Sequence, residues 1–144
     1  MSKAFTREDD GAVPEPPARR RGVPVPEPNP VTPDGLAAAK AELAELARRG
    51  GDADRARELT EHLATAHVIE VTDREVVGLG ATVTVDTDHG ERRYRIVGAI
   101  EADAKRGWIS WQSVLATALW GLRVGDAVDL PRGEHGEIAA IAYA

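Results

Sequence analysis

The sequence predicts an α+β protein in which a short antiparallel helical hairpin precedes an antiparallel sheet domain carrying one short helix. Three observations lead there. Apolar residues recur at spacings of three and four between residues 33 and 67, they change to alternation beyond residue 68, and Gly50-Gly51 interrupts the helical stretch near its middle. The chain accordingly divides into a Pro-rich tail over 1–32, the hairpin over 33–67 and the sheet domain over 68–144.

In the first segment Pro14, Pro16, Pro17, Pro24, Pro26, Pro28 and Pro30 accompany almost no apolar periodicity. That composition predicts a disordered or polyproline-like tail. Its basic cluster, Arg19-Arg20-Arg21, is offset by Glu8-Asp9-Asp10 and reads as a solvated linker, with contact to an anion or a partner as the sharper alternative.

Thr32 before Pro33 gives a helix N-cap followed by proline at the first helical position, where its missing N–H costs nothing. Leu36, Ala39, Leu43 and Leu46 then share one face. Gly50-Gly51 stops this helix. Asp52 can cap a second one, which places Ala56, Leu59 and Leu63 on its apolar face and ends near His67. The Leu/Ala seam is thin, so the hairpin is expected to draw part of its stability from the domain at its base. Asp52 and Asp54 fall at the tip; an N-cap and a first-turn acid account for both, and they are also the only weak candidates for holding a metal ion.

Beyond residue 68, Ala81-Thr82-Val83-Thr84-Val85 and Arg92-Arg93-Tyr94-Arg95-Ile96-Val97 alternate as half-buried strands around the turn formers Asp86 to Gly90. Gly98 to Gly107 is a polar connection. Ser113 is placed to cap a short helix reaching Leu119, and Ala127–Leu130 and Glu137–Tyr143 supply two further strands. Trp108, Trp111 and Trp120 are the only tryptophans of the chain and lie within thirteen residues. Trp108 and Trp120 are as well suited to filling a small core as to an interface, whereas Trp111, between Ser110 and Gln112, is expected to be exposed.

Composition narrows the function. The chain has 144 residues, a formal charge of -6 and no cysteine, which excludes disulfides, thiolate chemistry and Cys-based zinc sites. An acidic balance argues against binding along a phosphate backbone, so sequence-specific contact with nucleic acid is not expected and a protein partner is favoured. No apolar run approaches a membrane span or a secretory signal, making the cytoplasm the expected compartment. His62 and His67 are five residues apart and do not share a helix face, while His89 and His135 sit in Gly-rich turns; all four read as solvated. Gly78-Leu79-Gly80 precedes a strand and reads as a turn. No base and orienter stands ready to activate Ser110 or Ser113, so no catalytic residue, no cofactor and no enzymatic activity are expected.

The segments Ile96-Val97-Gly98, Glu101-Ala102-Asp103, Gly107-Trp108-Ile109-Ser110, Ser113, Ala118-Leu119 and Val124-Gly125-Asp126 follow one another in an order and spacing that resemble the C-terminal domain of the GreA/GreB transcript cleavage factors. The resemblance covers roughly residues 68 to 142. Ser2-Lys3-Ala4-Phe5-Thr6-Arg7-Glu8 also looks like the start of GreB-type proteins. The resemblance implies an FKBP-like sheet domain that binds the core of bacterial RNA polymerase at the rim of its secondary channel. It implies that Ser110, Ser113, Val114 and Leu115 face that partner, with Val114 replacing the proline that follows the second serine in the family; Trp108 and Trp111 join them as candidates because tryptophan is favoured at protein interfaces. Glu101, Asp103, Gly125 and Asp126 match family positions and read as turn-forming residues.

The departure lies upstream. The family hairpin is longer and carries an acidic tip resembling D-L-S-E-N-A-E-Y, which helps hold a magnesium ion at the polymerase active site; no such motif occurs here. Helices of about 14 residues reach only about 20 Å. The expectation is therefore a Gre-family elongation regulator without transcript-cleavage activity, similar also to the regulators of nucleoside diphosphate kinase, which pair a short hairpin with the same domain. Two alternatives stand beside it: an active cleavage factor using Asp52 and Asp54, and an FKBP-like interaction module with a different partner. A prolyl isomerase is disfavoured, because the chain has too few aromatics to line a proline pocket and a fold does not carry its function with it.

Overall fold

A computed structural model describes residues 22–143 of the protein. Strand β1 (Pro30–Val31) leads into helix α1 (Pro33–Arg49), which turns at Gly50-Gly51 into helix α2 (Ala53–Thr65) and returns to strand β2 (His67–Val68). The N-caps are those the sequence specifies. Thr32 Oγ1 accepts from the Gly35 amide at 3.0 Å, and Asp52 Oδ1 accepts from the Arg55 amide at 3.0 Å. The hairpin seam is thin, with Ala39, Leu59 and His62 buried and Leu36, Leu43 and Leu46 only half-buried. An ion cluster reinforces it. Arg55 donates to both carboxylate oxygens of Glu42, at 2.7 and 2.9 Å, and to Glu58 at 2.7 Å.

The expected tail is corrected for residues 22–32. Pro30 and Val31 pair in parallel with His67 and Val68, so the two ends of the hairpin are clasped together. Asn29 is buried and donates to the His62 carbonyl at 2.8 Å and to Thr65 Oγ1 at 3.1 Å. Val23 joins its amide to Glu58 Oε2 and its carbonyl to His62 Nε2, at 3.1 and 2.9 Å. A two-residue strand has no periodicity to read, which is why composition alone points to disorder here. The Arg19–Arg21 cluster, the acidic run Glu8–Asp10 and the GreB-like opening lie outside the described residues. His62 is a second correction: it is 1% exposed, because its ring fills the space between α2 and the residue 22–29 segment rather than facing solvent.

The remaining strands form one five-stranded sheet, ordered β5-β4-β3-β7-β6, from β3 (Ala81–Thr87), β4 (Gly90–Val97), β5 (Trp108–Ser110), β6 (Ala127–Asp129) and β7 (His135–Tyr143). β3 pairs antiparallel with β4 and with β7, with a bulge between Thr84 and Val85. The sheet is mixed rather than purely antiparallel, since β5 runs parallel to β4 with Arg95 opposite Trp108. Parallel pairing needs a crossover. The polar connection from Gly98 to Gly107 supplies it as two 3-10 turns, Ala99–Glu101 and Ala104–Arg106. Helix α3 (Val114–Leu119), capped by Ser113, lays Ala116 and Leu119 on a core made by Val83, Val85, Ile96, Val128 and Ile138.

Candidate functional site

The segment from Trp108 to Gly121 runs along the edge strand β5, through a turn and into α3. Ser113 Oγ accepts from the Ala116 amide at 3.1 Å, and Ser110 Oγ accepts from the Gln112 amide at 3.2 Å. Both serines thus organise backbone, one capping a helix and the other tightening the turn before it. That arrangement leaves Val114, the first residue of α3, 78% exposed. Leu115 is half-buried and lines a cleft of about 530 Å³ together with Tyr94, Leu130, Arg92 and Arg132. Arg132 holds a left-handed backbone, φ 71°, at the rim of that cleft.

The three tryptophans divide differently from expectation. Trp111 packs against the core, and its Nε1 is buried without a hydrogen-bond acceptor among the described residues. Trp120 is 46% exposed at the end of α3. The flanking polar residues of Trp111 suggest a surface position, but β5 ends at Ser110 and the turn that follows directs the indole inward. Val114, Trp120 and Val124 are three of the six large hydrophobic residues exposed among the described residues, and they fall within eleven positions. Trp120 is therefore a surface residue of this segment that the sequence does not distinguish from a core one.

Trp108 faces neither solvent alone nor the core. The Arg95 and Arg106 guanidiniums lie 5.2 and 4.9 Å from its ring centroid, within cation–π range. It also walls a cleft between the hairpin and the sheet.

Glu101, read from sequence as a turn former, joins the two parts of the molecule. Its carboxylate accepts from the Thr32 amide at 2.9 Å, from the Thr32 hydroxyl and from the Gly98 amide at 2.8 Å. Two glycines make room for it. A Cβ at Gly35 would lie 2.0 Å from the Glu101 carboxyl carbon, and one at Gly98 would lie 2.7 Å from the Pro30 carbonyl oxygen. Asp103 and Asp126 do behave as turn formers, accepting from the Lys105 amide at 3.1 Å and the Arg123 amide at 2.8 Å.

At the hairpin tip Asp52 caps α2, and Asp54 is an exposed first-turn acid 3.4 Å from Arg57. Among the described residues no three His, Asp or Glu side chains cluster as a metal site, and no helix is long and apolar enough to cross a membrane. Nearer the hairpin's middle, the Arg55 hydrogen bonds hold the Glu42 carboxyl below its ordinary range, and the Glu42 carboxylate raises Arg55 in turn.

Comparison with known proteins identifies the lineage of this surface. The family described as "Transcription elongation factor, GreA/GreB, C-term" matches residues 72–143. The chain is 44% identical over 102 residues to a transcription elongation factor GreB of Xanthomonas axonopodis pv. citri, covering 67% of this chain and 57% of that protein. It is 36% identical over 136 residues to a transcription elongation factor GreA of Rhodospirillum rubrum, covering 70% of this chain and 87% of the relative. The chain thus spans about three fifths of the length of several of these relatives, 57% and 61% in the two Xanthomonas axonopodis proteins. A crystal structure of GreA factor homolog 1 from Thermus thermophilus aligns with a TM-score of 0.44 and 27% identity, covering 76% of this chain and 86% of the other. With half of its length matched by the family profile, the chain belongs to the GreA/GreB family of transcription elongation factors.

Proposed function

We propose that the protein docks on bacterial RNA polymerase at the rim of the secondary channel through the Trp108–Gly121 segment, and regulates elongation without stimulating transcript cleavage. The observation that carries the docking half is the run of exposed apolar side chains, Val114 and Trp120, presented by a serine-capped turn inside the segment that matches the family. Large apolar side chains exposed on a rigid element are what an interface core uses.

The noncatalytic half rests on the arm. α1 has 17 residues and α2 has 13, giving a reach of roughly 20–25 Å. A magnesium ion takes carboxylate oxygens into its own coordination shell at about 2 Å, so an acid acts on it only if the arm delivers it there. Asp52 is committed to capping, and the tip offers no acidic constellation beyond Asp52 and Asp54 among the described residues. The alignment with the Rhodospirillum relative also runs over 136 positions while engaging only 70% of this chain, so part of the relative's length has no counterpart here.

Binding of the purified protein to RNA polymerase core, with a full-length Gre factor as competitor, tests the docking. Mutually exclusive binding is expected; absence of binding at micromolar concentrations would assign the surface to another partner. Stimulated cleavage in stalled complexes, lost on Asp52→Asn and Asp54→Asn, would replace the noncatalytic reading with the active one.

A further inference from the structure

We propose that the cleft at the elbow between hairpin and sheet is an oxyanion site, in which Arg95 and Arg106 beside Trp108 hold a small carboxylate- or phosphate-bearing molecule. This stands independently of any polymerase contact. The cleft has a volume of about 270 Å³, slightly below the ~300 Å³ at which pockets for drug-sized ligands begin.

The central observation is a buried donor without an acceptor. The Arg95 side chain is 16% exposed, and its Nε is buried without a hydrogen-bond acceptor among the described residues. Its acidic neighbour, Asp34, lies 3.9 Å away and is itself 80% exposed. A buried Nε–H donor without an acceptor is costly, and an oxyanion that takes it together with a terminal N–H in parallel relieves the cost.

The other acids around the cleft are already committed. Glu42 is bridged by Arg55 through two hydrogen bonds, and Glu101 is occupied by Thr32 and Gly98. Asp34, Glu42 and Glu101 balance Arg55, Arg95 and Arg106 in the lining, so it is the open Arg95 donor rather than net charge that favours an oxyanion. Arg106, whose nearest carboxylate is Asp103 at 3.6 Å, approaches the same indole as Arg95 and adds a second cation at the mouth. The body of the ligand would rest on Ala38, Ala39, Leu59 and Ile100, which also line the cleft. Such a molecule touches α1, α2 and the sheet at once. Its binding stabilises one angle between arm and domain, by the differential affinity it has for that angle.

The test uses the full chain, labelled with nitrogen-15 and titrated at constant ionic strength with inorganic phosphate and, separately, with succinate. Expected is a saturable shift of the Trp108 indole N–H and of the Gly35 and Ala38 amides with at least one anion, which also identifies the preferred headgroup. Asp34→Asn, which removes a competing carboxylate at an exposed position, should tighten binding several-fold. Arg95→Lys, which keeps the charge and loses the fork, should weaken it about tenfold or more. Absence of saturable shifts by about 20 mM with both anions, a range that still detects dissociation constants in the millimolar regime, would overturn the proposal. So would an Arg95→Lys titration indistinguishable from wild type. An Asp34→Asn variant that melts lower and gains no affinity would mean that Asp34 is Arg95's true partner.

Discussion

Glu101 accepts hydrogen bonds from both the amide and the hydroxyl of Thr32, a residue 69 positions earlier in the chain. The same threonine caps α1, so one carboxylate fixes the start of the hairpin to the crossover that leads into β5. Glu101→Ala would strand the Thr32 amide, which is buried, and the Gly98 amide. A loss of about 3 kcal/mol in unfolding free energy is expected, since each buried donor without an acceptor costs about 1–3 kcal/mol. Denaturant unfolding measures it; a loss near zero would mean that water replaces the carboxylate. Gly35→Ala should act in the same direction, because its Cβ would occupy the space of the Glu101 carboxyl group.

Asp52 and Asp54 separate capping from chemistry. Asp52→Ala should lower stability by about 1 kcal/mol through loss of the N-cap. Neither Asp52→Ala nor Asp54→Ala should change the rate of transcript cleavage by stalled polymerase when the protein is present.

The docking segment calls for variants that spare the core. Val114→Asp and Trp120→Ala alter exposed side chains, so stability should stay within about 0.5 kcal/mol of wild type. Affinity for polymerase should fall about tenfold or more. Trp111→Ala and Leu115→Asp would also weaken binding, but both residues pack against the core, and Trp111→Ala should cost about 3 kcal/mol in stability. Unchanged polymerase binding by Val114→Asp and Trp120→Ala together would move the interface elsewhere.

The hairpin should also respond to acid. The Arg55 hydrogen bonds hold the Glu42 carboxyl below the ordinary carboxylate range, so the folded chain binds fewer protons at this group than the unfolded chain does. The stability it contributes is fully present above the unfolded carboxyl's range and is lost as pH falls through the lower folded one. Glu42→Gln should therefore melt below wild type at pH 7, and the difference should close well below pH 4. Both side chains are partly exposed, so the effect should also shrink in high salt.

Most of the architecture is legible in the sequence because it is written in local chemistry. Thr32-Pro33, Gly50-Gly51, Asp52 and Ser113 mark helix boundaries through capping bonds between residues close in sequence. The alternating run at Ala81 likewise reports a strand with one buried face, whereas β4 does not alternate as expected and passes from exposed at Gly90 to buried at Ile96 and Val97. What stays hidden depends on partners distant in sequence. Asn29 and His62 bury each other's surroundings across 33 residues, and nothing near either residue signals it. Arg95 meets Trp108 only because β5 joins β4 in parallel register, a pairing set by the crossover. Trp111 packs inward against expectation because the turn after Ser110, rather than the polarity of neighbouring residues, decides where its indole goes, and Trp120, which the sequence leaves open between core and surface, is exposed.

The clasp of Pro30–Val31 on His67–Val68 makes the arm a lever with a single fulcrum. Both helical rails enter and leave through the same two-residue ladder, and Glu101 bolts that point to the sheet. Torque applied to the tip is therefore delivered to one joint instead of being dissipated along two independent linkers. A displacement of about 1 Å at a joint a few ångströms across becomes a swing several times larger at the far end, some 20–25 Å away. Whatever stiffens or loosens this joint sets where the tip points, without any change in the tip itself.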